Sequence, residues 1–328
     1  MTRLQTIRYH VLLSLLRLVA LLPLPVLYVF SSFVCFVLHR IVGYRVKVVR
    51  DNLQRSFPER SVEELHRIEH LFYVHLCDCI VETVKLLHIS DAEIMRRVDT
   101  RGGDYIEKLA EDGRPIIIML GHYGNWEWVQ AVTMHYKRPE LNAEIYRKSR
   151  DDVFDKIMYT IRSRFNTQQI VQAKAVRTLI GWKLRKQQFL VGFISDQRPN
   201  STNLNHWMTF LGQDTPIAVG AEEIGEHIGA HYVYLDIERP TRGHYRMTFC
   251  PIEPDNDAPE FPYVVAFMRR LEQTIQRNPQ YWLWSHKRWR RTRKFDESLA
   301  RYRERMAEKV DELTSRQVDK LTSRQVDE

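Results

Sequence analysis

The chain has 328 residues, a formal net charge of +8 and 44% hydrophobic residues, so it can bury a substantial core in one large domain or two smaller ones. Its four cysteines, Cys35, Cys77, Cys79 and Cys250, exclude a disulfide framework at this length. Cys77-Asp78-Cys79 lacks both the C-x-x-C spacing and a second pair, which argues against zinc and for a reducing compartment. The basic balance suits anionic partners: lipid headgroups, nucleic acid or an acidic protein.

Residues 18–38 carry no formal charge. As a straight helix they would extend about 31 Å, roughly the hydrocarbon thickness of a bilayer. Arg17 flanks one end and His39 and Arg40 the other, and no small-residue cleavage site follows. The reading is an uncleaved hydrophobic membrane-attachment helix within residues 1–45. Pro23 and Pro25 could kink a single span or divide it into two short interfacial helices. Basic residues precede it (Arg3, Arg8, Arg17) and follow it (Arg40, Arg45, Lys47, Arg50), so the positive-inside rule gives no orientation.

Ser61-Val-Glu-Glu64 is a capping-box pattern. Apolar residues then recur at helical spacing from Val62 to Val84, predicting a long amphipathic helix to about residue 88. His66, His70 and His75 interleave with that stripe without a matching acidic set, and are read as surface or partly packed residues rather than metal ligands. From residue 96 onward, short apolar segments alternate with amphipathic ones. A helix at 105–111 is closed by Gly113. A strand at 116–120 is bounded by Pro115 and Gly121, and a helix opening at Trp126 runs to about 135. Further strands are expected at 142–146, 169–171 and 189–195, with helices at 151–164, 175–187 and 217–228. Two antiparallel strands, 231–238 and 244–250, flank Arg242-Gly243, and a helix covers 259–277. This alternation implies an α/β domain over 46–295: a mainly parallel central sheet flanked by helices.

Residues 281–294 hold six Lys/Arg, three Trp and no acid. Tryptophan is favoured where apolar and polar surroundings meet. With no recognised nucleic-acid module, a bilayer surface or phosphate-bearing lipid is the preferred partner for this block. Residues 296–328 are charged and contain Leu-Thr-Ser-Arg-Gln-Val-Asp twice, at 313–319 and 321–327; they are read as a frayed helix or tail.

The chemistry is expected in 114–128. Polar residues that end a buried strand sit where α/β proteins bind ligands, and His122 and Glu127 are able to move or orient a proton there. Within one regular helix their side chains would point roughly 140° apart. They converge only if His122 lies in a loop and Glu127 in the first helical turn, with Gly124 or Asn125 near the cap. Glu127 could then hold one imidazole nitrogen and leave the other as a base. The same residues also suit a plain helix start, with an acid favoured by the dipole and a histidine that only packs.

Gly121-His-Tyr-Gly-Asn-Trp-Glu127, a His-x4-Glu motif after an apolar strand, resembles the bacterial lipid A biosynthesis acyltransferases. These are the lauroyl/myristoyl transferases within the wider lysophospholipid acyltransferase group. The resemblance extends through Tyr146-Arg147, Arg162-Ser-Arg164, Asp196-Gln197 and Tyr281-Trp-Leu-Trp-Ser-His-Lys-Arg288, in order. It implies a bacterial inner-membrane enzyme whose catalytic domain faces the cytoplasm. The donor would be an acyl thioester, usually on acyl carrier protein, and the acceptor a hydroxyl of a lipid A-type glycolipid precursor; the alternatives are a phospholipid acceptor (a lysophospholipid or phosphoinositide mannoside), an aminolipid, or a non-catalytic protein that binds anionic lipid, and no cofactor or metal is implied. His122 would act as base, oriented by Glu127. Arg162 would stabilise the oxyanion, and Asp196 would orient an arginine or the acceptor. Arg147 and Arg164 would hold phosphate or the donor, and Asn125 and Gln197 are further candidates for substrate contact. No G-x-S-x-G elbow is present, so direct attack without an acyl-enzyme is expected. One departure is the long polar stretch at 198–207, which points to a different fit of donor or acceptor.

Overall fold

Pro23 divides the apolar N-terminus. In this computed structural model, which describes residues 1–139, 141–165, 167–199 and 206–290, α1 (Arg3–Leu21) stops before it and α2 (Leu24–Phe36) starts after it. Proline has no N–H to continue a helix, but suits its first turn. Of the two outcomes open at Pro23 and Pro25, a kinked single helix or two helices, the structure has two, the second running on into a π-helical turn, Val37–Ile41. After α3 (Val46–Ser56) comes α4 (Val62–Lys85), against which α1, α2 and α3 all pack. The Ser61 capping box forms: the Glu64 amide donates to Ser61 Oγ (3.2 Å) and the Ser61 amide to Glu64 Oε2 (3.0 Å).

The buried face of α4 is not the simple apolar stripe expected. Ile80 is 48% exposed, whereas Glu69, Asp78 and Glu82 are buried. Glu69 meets His39 and Arg50, whereas Asp78 and Glu82 meet α2 on one side and residues 239–245 of the sheet on the other. Asp78 accepts from Ser31 (2.7 Å) and is clamped by Arg239 and Arg242. His66 and His70 are exposed. His75 is buried with Nε2 3.1 Å from Gly124 O.

The domain continues through α5 (Asp91–Arg97), β1 (Val98–Arg101), α6 (Gly103–Ala110), β2 (Ile116–Leu120) and a 3-10 turn, Val129–His135. Next come β3 (Leu141–Tyr146), α7 (Asp152–Arg162), β4 (Gln168–Val171), α8 (Ala175–Leu184) and β5 (Phe189–Ile194). A small hairpin follows, β6 (Trp207–Phe210) and β7 (Gln213–Pro216). Then α9 (Gly220–Ile228), β8 (His231–Thr241), β9 (His244–Pro251) and α10 (Pro262–Arg277) complete it. The sheet order is β1-β9-β8-β2-β5-β3-β4. Among its described strands only the β8–β9 step is antiparallel. All five residues of β2 are buried, as expected of a strand covered on both faces, and α10 packs across β2 and β8.

The segment after His122 is not an α-helix from Trp126: residues 126–127 form a turn, and the following helix is 3-10 and begins at Val129. β1 and the β6–β7 hairpin were not foreseen, because short strands such as Val-Asp-Thr-Arg, with one buried residue of four, carry no readable alternation. Part of the aromatic-basic block faces the core rather than a lipid surface, whereas its Lys287 and Arg290 are exposed. Trp282, Trp284 and Arg288 are buried, and the Arg288 guanidinium donates to Pro216 O (2.6 Å). The rest of that block, the charged repeat and most of the polar stretch at 198–207 lie outside the described residues.

Candidate active site

Strand adjacency builds the site. β2 and β5 are parallel neighbours with Leu120 opposite Ile194, and the Ser195 amide donates to Leu120 O (3.2 Å) just beyond the strands. Two residues past each matched end stand His122 and Asp196, so equal register brings them together. His122 Nδ1 lies 2.6 Å from Asp196 Oδ1. The other oxygen, Oδ2, accepts from the Trp282 indole N–H (2.8 Å). This is the outer, carboxyl end of parallel strands, where α/β sheets bind ligands.

Asp196 is 1% exposed. Burial pushes its carboxyl pKa up, but His122 and the Trp282 indole outweigh burial and hold it below the usual carboxylate range. An ionised Asp196 favours the tautomer of His122 that donates a hydrogen bond from Nδ1–H, and in that neutral tautomer the Nε2 lone pair is free to act as a base. The histidine stays partly open, with 20% of its side chain exposed, and packs edge-on to Trp126 at 5.3 Å between ring centres.

The C-terminal block clamps this loop from outside. The Leu283 amide donates to His122 O (3.1 Å) and the Gly124 amide to Tyr281 O (3.0 Å). Gly124 has φ +59°, and a Cβ there would lie 2.5 Å from Ile237 Cγ2, so only glycine fits.

Glu127 does not orient His122. Both its oxygens are taken by Arg162, the last residue of α7, through Nε (2.8 Å) and Nη2 (2.5 Å). This paired fork is the geometry in which guanidinium and carboxylate bind most strongly. The carboxylate partner of the histidine is Asp196, a correction to the expected His122–Glu127 pairing. His122 does lie outside any helix, as expected.

Glu144, on β3, was missed by sequence reasoning. Its Oε1 lies 3.9 Å from Arg162 Nε, and burial, with Glu127 nearby, pushes its carboxyl up to about 7. Two carboxylates thus face one guanidinium. The signal was available as the sole acid in the strand Leu-Asn-Ala-Glu-Ile-Tyr.

Two residues expected to touch substrate are turned elsewhere. Asn125 is fully buried. Its Oδ1 accepts from the amides of Glu127 (3.1 Å) and Trp128 (3.2 Å), and its Nδ2 donates to Glu82 Oε2 (2.7 Å). Glu82 also accepts from the hydroxyls of Tyr28 and Tyr245 (2.7 Å each). Asn125 therefore caps the turn that carries Glu127. Arg164 donates to Leu86 O (2.8 Å) and Asp91 Oδ1 (3.2 Å), tying the end of α7 to the segment after α4.

Arg147, Gln197, Arg162, Glu127 and His122 all line one cavity of about 930 Å³. Much of its wall is apolar, including Ile118, Leu120, Val132, Ile180, Phe193 and Leu235. A volume of this order suits a lipid-sized ligand.

A model of the family described as bacterial lipid A biosynthesis acyltransferase matches residues 1–291. The chain is 23% identical over 279 residues to a lipid A biosynthesis palmitoleoyltransferase of Escherichia coli (strain K12), covering 84% of this chain and 89% of that protein. A lipid A biosynthesis acyltransferase of Shigella flexneri matches to the same extent. A lipid A biosynthesis lauroyltransferase of Escherichia coli (strain K12) is 22% identical over 280 residues, covering 85% and 90%. The matched region runs from α1 through the loop that carries His122 to the C-terminal clamp around Trp282, and on this evidence the chain is an acyltransferase that belongs to the bacterial lipid A biosynthesis acyltransferase family.

Proposed function

We propose that the protein moves a fatty acyl group from an acyl thioester, carried on acyl carrier protein, to a hydroxyl of a lipid A-type glycolipid precursor. It works at the cytoplasmic face of the bacterial inner membrane. The observation that carries this reading is the His122–Asp196 pair, with its histidine on the wall of a large apolar cavity. His122 Nε2 takes the proton of the acceptor hydroxyl as the oxygen attacks the thioester carbonyl carbon. The tetrahedral intermediate collapses, the C–S bond breaks, and the thiolate leaves with the proton from the imidazolium. Asp196 holds Nδ1–H throughout and stabilises the charged ring. Arg162, fixed by Glu127, supplies positive charge for the oxyanion. Arg147 and Gln197 hold polar parts of the substrates, and the apolar wall takes the acyl chain. The net charge of +8 suits an acidic carrier protein.

The test is His122→Ala, assayed with acyl carrier protein thioesters and a tetra-acylated disaccharide acceptor, with mass spectrometry of the products. Transfer should fall by about 10²–10⁴-fold while the fold persists. Undiminished transfer would sink the role of His122. Activity on lysophospholipid alone would overturn the acceptor while leaving the chemistry in place.

A further inference from the structure

We propose that α1 and α2 lie flat in one leaflet of the bilayer and that neither crosses it. This deepens the membrane reading above and rests on it. Length alone permits crossing: the 19 residues of α1 and the 18 of Leu24–Ile41 each extend about 27–29 Å, close to the roughly 30 Å of hydrocarbon in a bilayer. The contacts along each helix decide otherwise.

Near its start, α1 is held by Arg8 Nη2 to Asp151 Oδ2 (3.0 Å) and by the Tyr9 hydroxyl to Thr160 Oγ1 (3.0 Å). At its end, Lys85 Nζ donates to Ala20 O (3.0 Å) and Leu22 O (2.9 Å). α2 is held in the same way along α4. Tyr28 reaches Glu82 (2.7 Å), Ser31 reaches Asp78 (2.7 Å), and His39, in the π-helical turn, reaches Glu69 (2.7 Å). Both helices are therefore fastened end to end to charged parts of the domain. Standing either across a bilayer would carry Glu69, Asp78, Glu82, Lys85 and Asp151 through hydrocarbon, where ionisable groups are costly.

The outward faces fit a membrane plane. Leu4, Ile7, Val11, Leu15 and Leu18 recur at helical spacing along α1 and are 53–76% exposed. Val26, Val29, Phe30, Phe33 and Phe36 do the same along α2 at 49–74%. Each helix thus presents an apolar stripe outward and its polar contacts inward, the reverse of an ordinary surface helix. Apolar surface of this extent marks an interaction site. Exposed Arg3, Arg17, Arg40 and Lys47 stand among and beside the stripes and match an anionic headgroup layer. The occupant is one leaflet of anionic phospholipid.

The experiment adds one cysteine at a time, Thr2→Cys, Leu22→Cys or Val42→Cys, to the full chain. A membrane-impermeant maleimide is applied to right-side-out and inside-out vesicles, with the native chain as background and limited trypsin digestion to confirm the fold. The three positions should behave alike: labelled in inside-out vesicles or protected until detergent is added, and unlabelled from the outside. A split overturns the proposal. Leu22 alone reacting from outside means a two-helix hairpin, and Thr2 or Val42 differing from Leu22 means one crossing. All three reacting together from outside keeps the helices flat and overturns the cytoplasmic orientation. Recovery of the chain in the soluble fraction after cell breakage overturns the membrane reading itself.

Discussion

Replacing Asp196 by asparagine separates two possible partners of His122. Each oxygen of Asp196 accepts one hydrogen bond, from His122 Nδ1 at 2.6 Å and from Trp282 Nε1 at 2.8 Å. A side-chain amide offers one acceptor and one donor. If its oxygen faces Trp282, its NH2 faces Nδ1; the ring then must carry its proton on Nε2 and cannot act as a base there. If its oxygen faces His122, its NH2 opposes the indole N–H, and the negative charge that supports the imidazolium is gone in either case. The expected loss in kcat is about 10²–10⁴-fold, equivalent to about 3–5 kcal/mol of barrier. The loss in stability is smaller, about 1–3 kcal/mol for one unsatisfied buried donor. Trp282→Phe, which keeps the carboxylate, should cost far less activity. The assay is single-turnover acyl transfer at saturating acceptor, with urea denaturation alongside. If Asp196→Asn stays within threefold of the native rate while Glu127→Gln collapses, the assignment of Asp196 is refuted and Glu127 must reach the histidine in the loaded enzyme.

Glu144 predicts a pH effect. Its carboxyl is raised from 4.5 to about 7 by burial, so between those values the unfolded chain releases this proton while the folded chain keeps it. Stability should fall as pH rises through that window, by at most about 3 kcal/mol. Urea curves for Glu144→Gln should lack this slope; parallel curves for both proteins would refute it. Arg164→Ala should lower stability by about 1–2 kcal/mol with KM unchanged, since its bonds go to Leu86 O and Asp91. Arg147→Ala, on the cavity wall, should raise KM and leave the urea midpoint within about 0.5 kcal/mol of native. Gly124→Ala forces a side chain into φ +59° and against Ile237; a loss of at least about 2 kcal/mol is expected in thermal or urea unfolding.

The role of Glu82 connects these predictions. Its buried carboxylate gathers Tyr28 from α2, Tyr245 from β9 and Asn125 from the active-site turn. The turn that carries Glu127 is thus fixed to the same helix, α4, that holds the apolar N-terminal pair. A low-dielectric junction of this kind is stable only with every acceptor site filled, which explains why Asn125 faces inward rather than toward the cavity.

Much of this protein could be read without its structure. Alternating strands and helices, the capping box at Ser61, the buried strand at 116–120 and the need for His122 to lie outside a helix all follow from periodicity, sterics and backbone freedom. Those are properties of neighbouring residues. The blocks at His122, Tyr146, Arg162, Asp196 and Tyr281 also carried the family resemblance. What needed the tertiary structure was every choice between equal candidates. Glu127 is five residues from His122 and Asp196 is 74 away, yet the parallel register of β2 and β5 brings the distant carboxylate to the ring, while α7 delivers Arg162 to the near one. Composition cannot distinguish a tryptophan that meets lipid from one that seals a core, so Trp282 became a site residue only once its indole was found on Asp196. An apolar stretch reads the same whether it crosses a bilayer or rests in it; the contacts of α1 and α2 with Asp78, Glu82, Lys85 and Asp151, on which the proposal of a flat placement rests, come from residues distant in the chain and are visible only in the tertiary structure.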